Sequence, residues 1–196
     1  SQIKLKHSGG NSVIIAAPSS NPASDRTLTL PGDADGTILT SNTATGKILQ
    51  VVQNTKTDTF TTTSASDVEV TGLNVTITPS SASNKVLVSI NIGLVGGALN
   101  AYAGFVLYRE IGGSSSDLLI GTTGTGNRPN RTFGANLNSW SNYAATAASF
   151  EFLDAPNTTS AITYKVKVRS GYSNVVLYIN RMAQDDNENY NHRCAS

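Results

Sequence analysis

The chain has 196 residues, a formal net charge of +1, 38% hydrophobic side chains, 17 glycines and charged side chains at only 14% of positions. That length and apolar content suffice for one sizeable core, whereas the near-neutral balance excludes a polyanion-binding surface spread over the molecule, so nucleic acid is not an expected partner. The lone cysteine, Cys194, excludes an intrachain disulfide, and no apolar run approaches the roughly 18 residues that span a bilayer, so no membrane insertion is expected.

Residues 1–46 hold short apolar pulses, Ile3 to Leu5, Val13 to Ile15, Leu28 to Leu30 and Ile38 to Leu39, separated by Gly9-Gly10, Pro18, Asn21-Pro22, Pro31-Gly32 and Asp35-Gly36. These separators are strong turn formers, and the spacing fits short strands joined by turns. Four such pulses bury too little apolar area to offset the entropy of ordering them alone. The segment is therefore expected to be an extended arm that packs on the rest of the chain, on neighbouring subunits or on a larger particle. Ile3, Leu5, Val13, Ile15, Leu28 and Leu30 are its candidate attachment residues. The opening SQIKLKHSGG has no apolar h-region and does not read as a secretory signal.

From residue 47 to 196 the strands lengthen and gain aromatics, which places the globular head there. Strands are expected at 48–53, 58–63, 68–79, 85–94, 102–110, 118–121, 143–153, 162–169 and 175–180, with Gly, Pro, Asn or Ser in the turns. No useful window keeps the i, i+3, i+4, i+7 pattern, and the helix-prone stretch 144–148 runs into the Phe150, Phe152 alternation, so little helix is expected. Many short strands at regular spacing predict an all-β sandwich, with a jelly roll as its leading form. The centre of this reading is LNVTITPSSASNKVLVSINI, from Leu73 to Ile92. Its runs Leu73-Val75-Ile77 and Val86-Val88-Ile90-Ile92 each put branched apolar side chains on one face, and Pro79 with Ser80, Ser81, Ser83 and Asn84 forms the turn between them. The unit is expected to be a β-hairpin. Leu87 breaks the alternation, as in a strand with apolar neighbours on both faces in a sandwich or a subunit contact.

The motifs that resemble chemistry have simpler readings. GTTGTGN at 121–127 lacks the Lys-Ser/Thr of a phosphate loop and opens no helix, and Asp33-Ala34-Asp35-Gly36 lacks the bidentate Glu of a calcium loop, with Ala44 in its place. His7, His192 and Cys194 lack the spaced partners of a zinc site, so no metal and no cofactor are expected. There is no Gly-x-Ser-x-Gly elbow. Glu151 with Asp154, and Asp185 and Asp186 with Glu188, are carboxylate pairs without an indicated cleft. The expectation is that the protein is not an enzyme and has no catalytic residues.

Two surfaces are candidates for binding. Arg128 and Arg131, followed by Trp140 and Tyr143, combine cations and large aromatics as sites for sugars or protein partners do, although anchoring a loop to the core is the simpler use of the two aromatics. Lys165, Lys167 and Arg169 alternate and share one face, which is expected to be solvated and to guard a strand against unwanted pairing, or to dock an acidic neighbour.

IKLKHSGGNSVIIAAPSSNPASDRTLTLPG with DGTILT resembles the N-terminal module of structural proteins of tailed bacteriophages, marine and cyanobacterial ones in particular. GKILQVVQNTKTDTFTTTS, VTGLNVTITPSSASNKVLVSINI, FLDAPNTTSAITYKVKVRSG and VVLYINR are similar to the head of phage tail-fibre-like proteins, so the resemblance covers nearly the whole chain. It implies a tumour-necrosis-factor-like jelly roll assembled as a homotrimer, a virion structural role after assembly in the host cytoplasm, and no catalytic residues. Tail, neck or capsid proteins are the implied partners, with a host surface glycan as a further one. Such proteins continue past the Arg-x-Ala-Ser stretch into a final apolar strand, and a few C-terminal residues are accordingly expected beyond Ser196. Two alternatives stand beside a tail-fibre or appendage component: a capsid-decorating protein that stabilises the shell, and a carbohydrate-binding module.

Overall fold

The computed structural model describes residues 2–16, 19–20, 22–24, 27, 48–98, 101–118, 121, 126, 128–137, 144–189 and 191–196. Among them the fold is all-β, with no helix. The chain divides into two compact units, Ser1–Ile48 and Leu49–Ser196.

In the first unit, β1 (Gln2–Lys6) and β2 (Ser12–Ala16) form an antiparallel pair with Leu5 opposite Val13 and Ile3 opposite Ile15. The connection is tight: the His7 N–H donates to the Asn11 carbonyl at 2.7 Å, and Gly10, at φ 101°, takes a backbone conformation that only glycine adopts without strain. Ile3, Leu5, Ile14 and Ile15 are exposed. A two-stranded ribbon by itself is marginally stable.

The second unit is a β-sandwich. One sheet runs in the order β4 (Val68–Ile77), β10 (Ile162–Ser170), β6 (Ala101–Ile111), with β7 (Ser114–Asp117) and β8 (Phe133–Leu137) sharing the far edge of β6. The other is ordered β3 (Phe60–Thr62), β11 (Leu177–Ile179), β5 (Val86–Gly97), β9 (Ala145–Asp154). All pairings are antiparallel. The core lies between the sheets: Val88, Ile90 and Ile92 of β5 share one cluster with Phe105 and Leu107 of β6 and with Val166 and Val168 of β10. Phe133 stacks on both Phe105 and Phe150, at 4.7 and 5.5 Å between ring centroids, which adds an aromatic column to the area buried.

Two bulges reconcile the sequence with this core. On β4 the apolar set changes parity, from Val68 and Val70 to Leu73, Val75 and Ile77. The pairing with β10 slips at the same place, and Gly72 sits there at φ 84°. On β5 the inward set changes from Val86, Val88, Ile90 and Ile92 to Val95, and the register with β9 shifts between Ile92 and Val95.

Several expectations need correction. The segment from Leu73 to Ile92 is not a hairpin. β4 pairs with β10 and β5 with β9 and β11, so the polar loop carries the chain from one sheet to the other. Alternation fixes which residues face the core, but it carries no information on which strand lies alongside. The strand expected at 118–121 lies earlier, at Ser114–Asp117, and β8 was not foreseen; residues 119, 120 and 122–125 lie outside the described residues. Residues 48–53 are not in a strand. The triad Lys165, Lys167, Arg169 guards no edge, because β10 is a central strand with partners on both sides.

Candidate assembly surface

The two outer faces of the sandwich are finished differently. On β10 and β6, Lys165 stands opposite Tyr108 and Lys167 opposite Val106. Tyr108 points outward yet is buried beneath these cations, with the Lys167 Nζ 4.3 Å from its ring centroid. Its hydroxyl donates to the Glu69 Oε2 at 2.6 Å, Lys167 bonds Asp117 at 2.8 Å, and Lys165 bonds Glu110 at 3.2 Å and Glu69 at 3.5 Å. Burial, and then the Glu69 carboxylate, push the Tyr108 hydroxyl well above the ordinary phenol range. The Glu110 carboxylate holds the Lys165 ammonium above its ordinary value. Both lysines of this face are paired with carboxylates of the same chain.

The outer face of β5 and β9 is built from the residues that alternate with the core set. Leu87 pairs with Leu153, Ser89 with Glu151 and Asn91 with Ser149. Leu87 is 64% and Leu153 55% exposed, so two leucines side by side on neighbouring strands form an apolar patch in water. Glu151 is the one charge in this set, and its Oε1 accepts from the Ser89 hydroxyl at 3.1 Å. Leu49 and Val51, outside any strand at the start of this unit, are exposed as well.

A buried clamp joins the two sheets. Asp154, at the end of β9, accepts from the Arg109 Nη1 of β6 at 2.6 Å on both carboxylate oxygens and from the Tyr164 hydroxyl of β10 at 2.8 Å. Burial and the Asp154 carboxylate raise the Tyr164 hydroxyl far above its usual range, so it stays a donor at all ordinary pH. Glu151 and Asp154 thus face opposite sides of β9 and form no carboxylate dyad.

A second polar knot holds the C-terminal stretch. Asn180, fully buried, donates its Nδ2 to the Lys56 and Asp58 carbonyls at 2.9 and 3.0 Å and accepts from the Ser196 hydroxyl. Asp185 receives Arg181 at 2.9 Å and Arg193 at 2.6 Å, and the Arg193 guanidinium holds its carboxyl below the ordinary aspartate range. Among the described residues no group of three or more His, Cys, Asp or Glu is placed to hold a metal ion.

No family model, curated protein or solved structure matches this chain. The surface must therefore be read from its own residues. Of the residues singled out for partner or glycan contact, Trp140 and Tyr143 lie outside the described residues. Arg128 is exposed. Arg131 is largely covered: its guanidinium bonds Asp67 at 3.2 Å and the Asn130 carbonyl at 2.8 Å, and its stem packs on Gly104, where a Cβ would lie 2.9 Å from the Arg131 Cδ. Burial lowers its guanidinium below the usual value, against the pull of Asp67. Of the arm residues, Ile3, Leu5 and Ile15 are exposed on the β1–β2 ribbon and Val13 sits in β2, while Leu28 and Leu30 lie outside the described residues. The Leu87–Leu153 pair was only half legible: Leu87 stood out as an interruption, but its neighbour on β9 depends on pairing. The Asp154 clamp was missed altogether, because its partners come from strands distant in sequence.

Proposed function

We propose that this chain is a structural protein of a tailed phage particle: a homotrimeric tail-fibre or appendage component with a jelly-roll head, mounted through residues 1–46. The single observation that supports it most is the contrast between the outer faces. A surface whose lysines are already paired within the chain gains little from a neighbour, whereas a weakly charged face centred on two exposed leucines gains from burial between copies. The phage assignment itself comes from the phrases in the N-terminal module and the head quoted above. In this reading the partners are other copies of the chain and the proteins of tail, neck or capsid, and the distal loops meet the host surface.

Antibody raised against residues 49–196 should label purified particles at the tail in negative-stain images. Labelling spread over the shell would transfer the protein to capsid decoration. Particles that carry none of the protein would remove the structural reading.

A further inference from the structure

We propose that the end of the β10–β6 outer face, where Arg169 stands beside Gly104, binds a carboxylate carried on a ring, with the carboxylate between the Arg169 and Arg131 guanidiniums and the ring against Tyr172. The site uses none of the leucine face and does not depend on which particle carries the chain.

Arg169 is the cation that this face leaves unmatched. Its neighbours in sequence, Val168 and Ser170, are fully buried, so strand alternation turns Arg169 outward, on the side of Lys165 and Lys167. Those two lysines end on carboxylates and Arg131 on Asp67, whereas the half-buried Arg169 donates to no acceptor and pairs with no acid among the described residues. A partly covered guanidinium without an acceptor has given up water and gained no bond in exchange.

The neighbouring strands make room beside it. Arg169 pairs with Gly104 of β6, and Gly104 with Gly134 of β8. The Arg131 stem fills the space over Gly104, where a Cβ would lie 2.9 Å from its Cδ and from its Nε, and its guanidinium ends on Asp67 at 3.2 Å. Burial is the main cause that lowers the Arg131 guanidinium below its usual value; the charge of Arg169 acts in the same direction, against Asp67, so the two cations are near enough to repel each other. Over Gly134 no described side chain comes within 4 Å of the place of a Cβ. Two guanidiniums and one carboxylate leave a single positive charge in excess. One further carboxylate balances it, and the planar fork of arginine matches that group with two parallel hydrogen bonds.

Aromatic rings border the cations. Tyr102 lies two residues from Gly104 on the same side of β6, and so ~7 Å along the strand from the Arg169–Gly104 pair. The chain leaving β10 is drawn tightly against it: the Gly171 N–H donates to the Tyr102 carbonyl at 2.8 Å, and a Cβ on Gly171 would lie 2.9 Å from the Tyr102 Cβ. Tyr172 then stands edge-on to Tyr102, with 5.8 Å between ring centroids and 66° between planes, and remains 57% exposed. A ring fixed by its neighbour and open to water is a platform for the apolar side of another ring.

The test titrates the intact chain at low ionic strength with glucuronate, benzoate, acetate and glucose, and follows NMR chemical shifts. The expected result is saturable binding of glucuronate or benzoate, at least ~5-fold tighter than acetate, and none of glucose. The tighter of the two ring acids shows whether the ring is a sugar or an aromatic. Arg169→Gln should weaken binding by ~10-fold or more and Arg169→Lys by less, because an ammonium keeps the charge without the fork. Tyr172→Ala, at an exposed position, should bring the ring acids down to the level of acetate, and keeps the test decisive if Arg169→Gln does not fold. A Lys165→Gln, Lys167→Gln variant should bind as the intact chain does. No saturable binding of either ring acid, binding that Arg169→Gln or Tyr172→Ala leaves unchanged, or an equal loss in the lysine variant would each overturn the proposal.

Discussion

On the outer face of β10 and β6 both lysines meet carboxylates, and a buried tyrosine lies beneath them; on the outer face of β5 and β9 the one charge, Glu151, meets a serine, and two leucines stand in water. Both faces come from strands of the same alternating type, so the difference lies entirely in what was placed at the outward positions. Lysines already paired within the chain make association costly, because a neighbour would have to desolvate each pair. The leucine face carries a single charge, Glu151, and its two leucines gain from leaving water. The contrast separates a surface made for water from one that a further copy can cover.

The largest effect should come from the anchor that holds the two faces back to back. Asp154→Ala strands the Arg109 guanidinium and the Tyr164 hydroxyl, and should lower the unfolding free energy by ~3 to 5 kcal/mol in urea titrations. A loss below about 1 kcal/mol would mean that the sheets are held by apolar packing alone. On the sealed face, Tyr108→Phe removes only the bond to Glu69 and should cost ~1.5 kcal/mol, with no change in oligomeric state. Any change of assembly in that variant would show that the sealed face also takes part.

The smallest effect concerns pH. The folded-state pKa of Asp185 is depressed below its ordinary value of 3.8, chiefly by Arg193. Its contribution to stability is therefore fully present above that value and is lost as pH falls through the lower folded value. Asp185→Asn should flatten the fall of melting temperature below about pH 4. An unchanged profile would show that the knot around Arg181 and Arg193 adds nothing to folding.

Much of the head was legible because alternation is a local signal. The inward sets of β5 and β10 follow from Val86, Val88, Ile90 and Ile92 and from Ile162, Tyr164, Val166 and Val168 without any knowledge of neighbours. Pairing was not legible. β4 and β5 are adjacent in sequence and lie in different sheets, and nothing in Pro79 to Asn84 distinguishes a crossing loop from a hairpin turn. β7 escaped because Ser114–Asp117 is polar and exposed at every position, held only by its backbone ladder to β6. The lysines of β10 read as a solvated guard, but the acids that receive them, Glu69, Glu110 and Asp117, arrive from three other strands. The candidate assembly surface was only half legible for a related reason: Leu87 stood out alone, and two leucines become a patch only once the register brings Leu87 to Leu153.

Sedimentation velocity of the intact chain, run beside a Leu87→Glu, Leu153→Glu variant and a Lys165→Glu, Lys167→Glu variant, tests most directly whether copies meet on the leucine face. The account predicts a trimer for the intact chain, monomers for the leucine variant with its melting temperature nearly unchanged, and trimers for the lysine variant. An intact chain that stays monomeric at tens of micromolar, or a leucine variant that still sediments as a trimer, would contradict it.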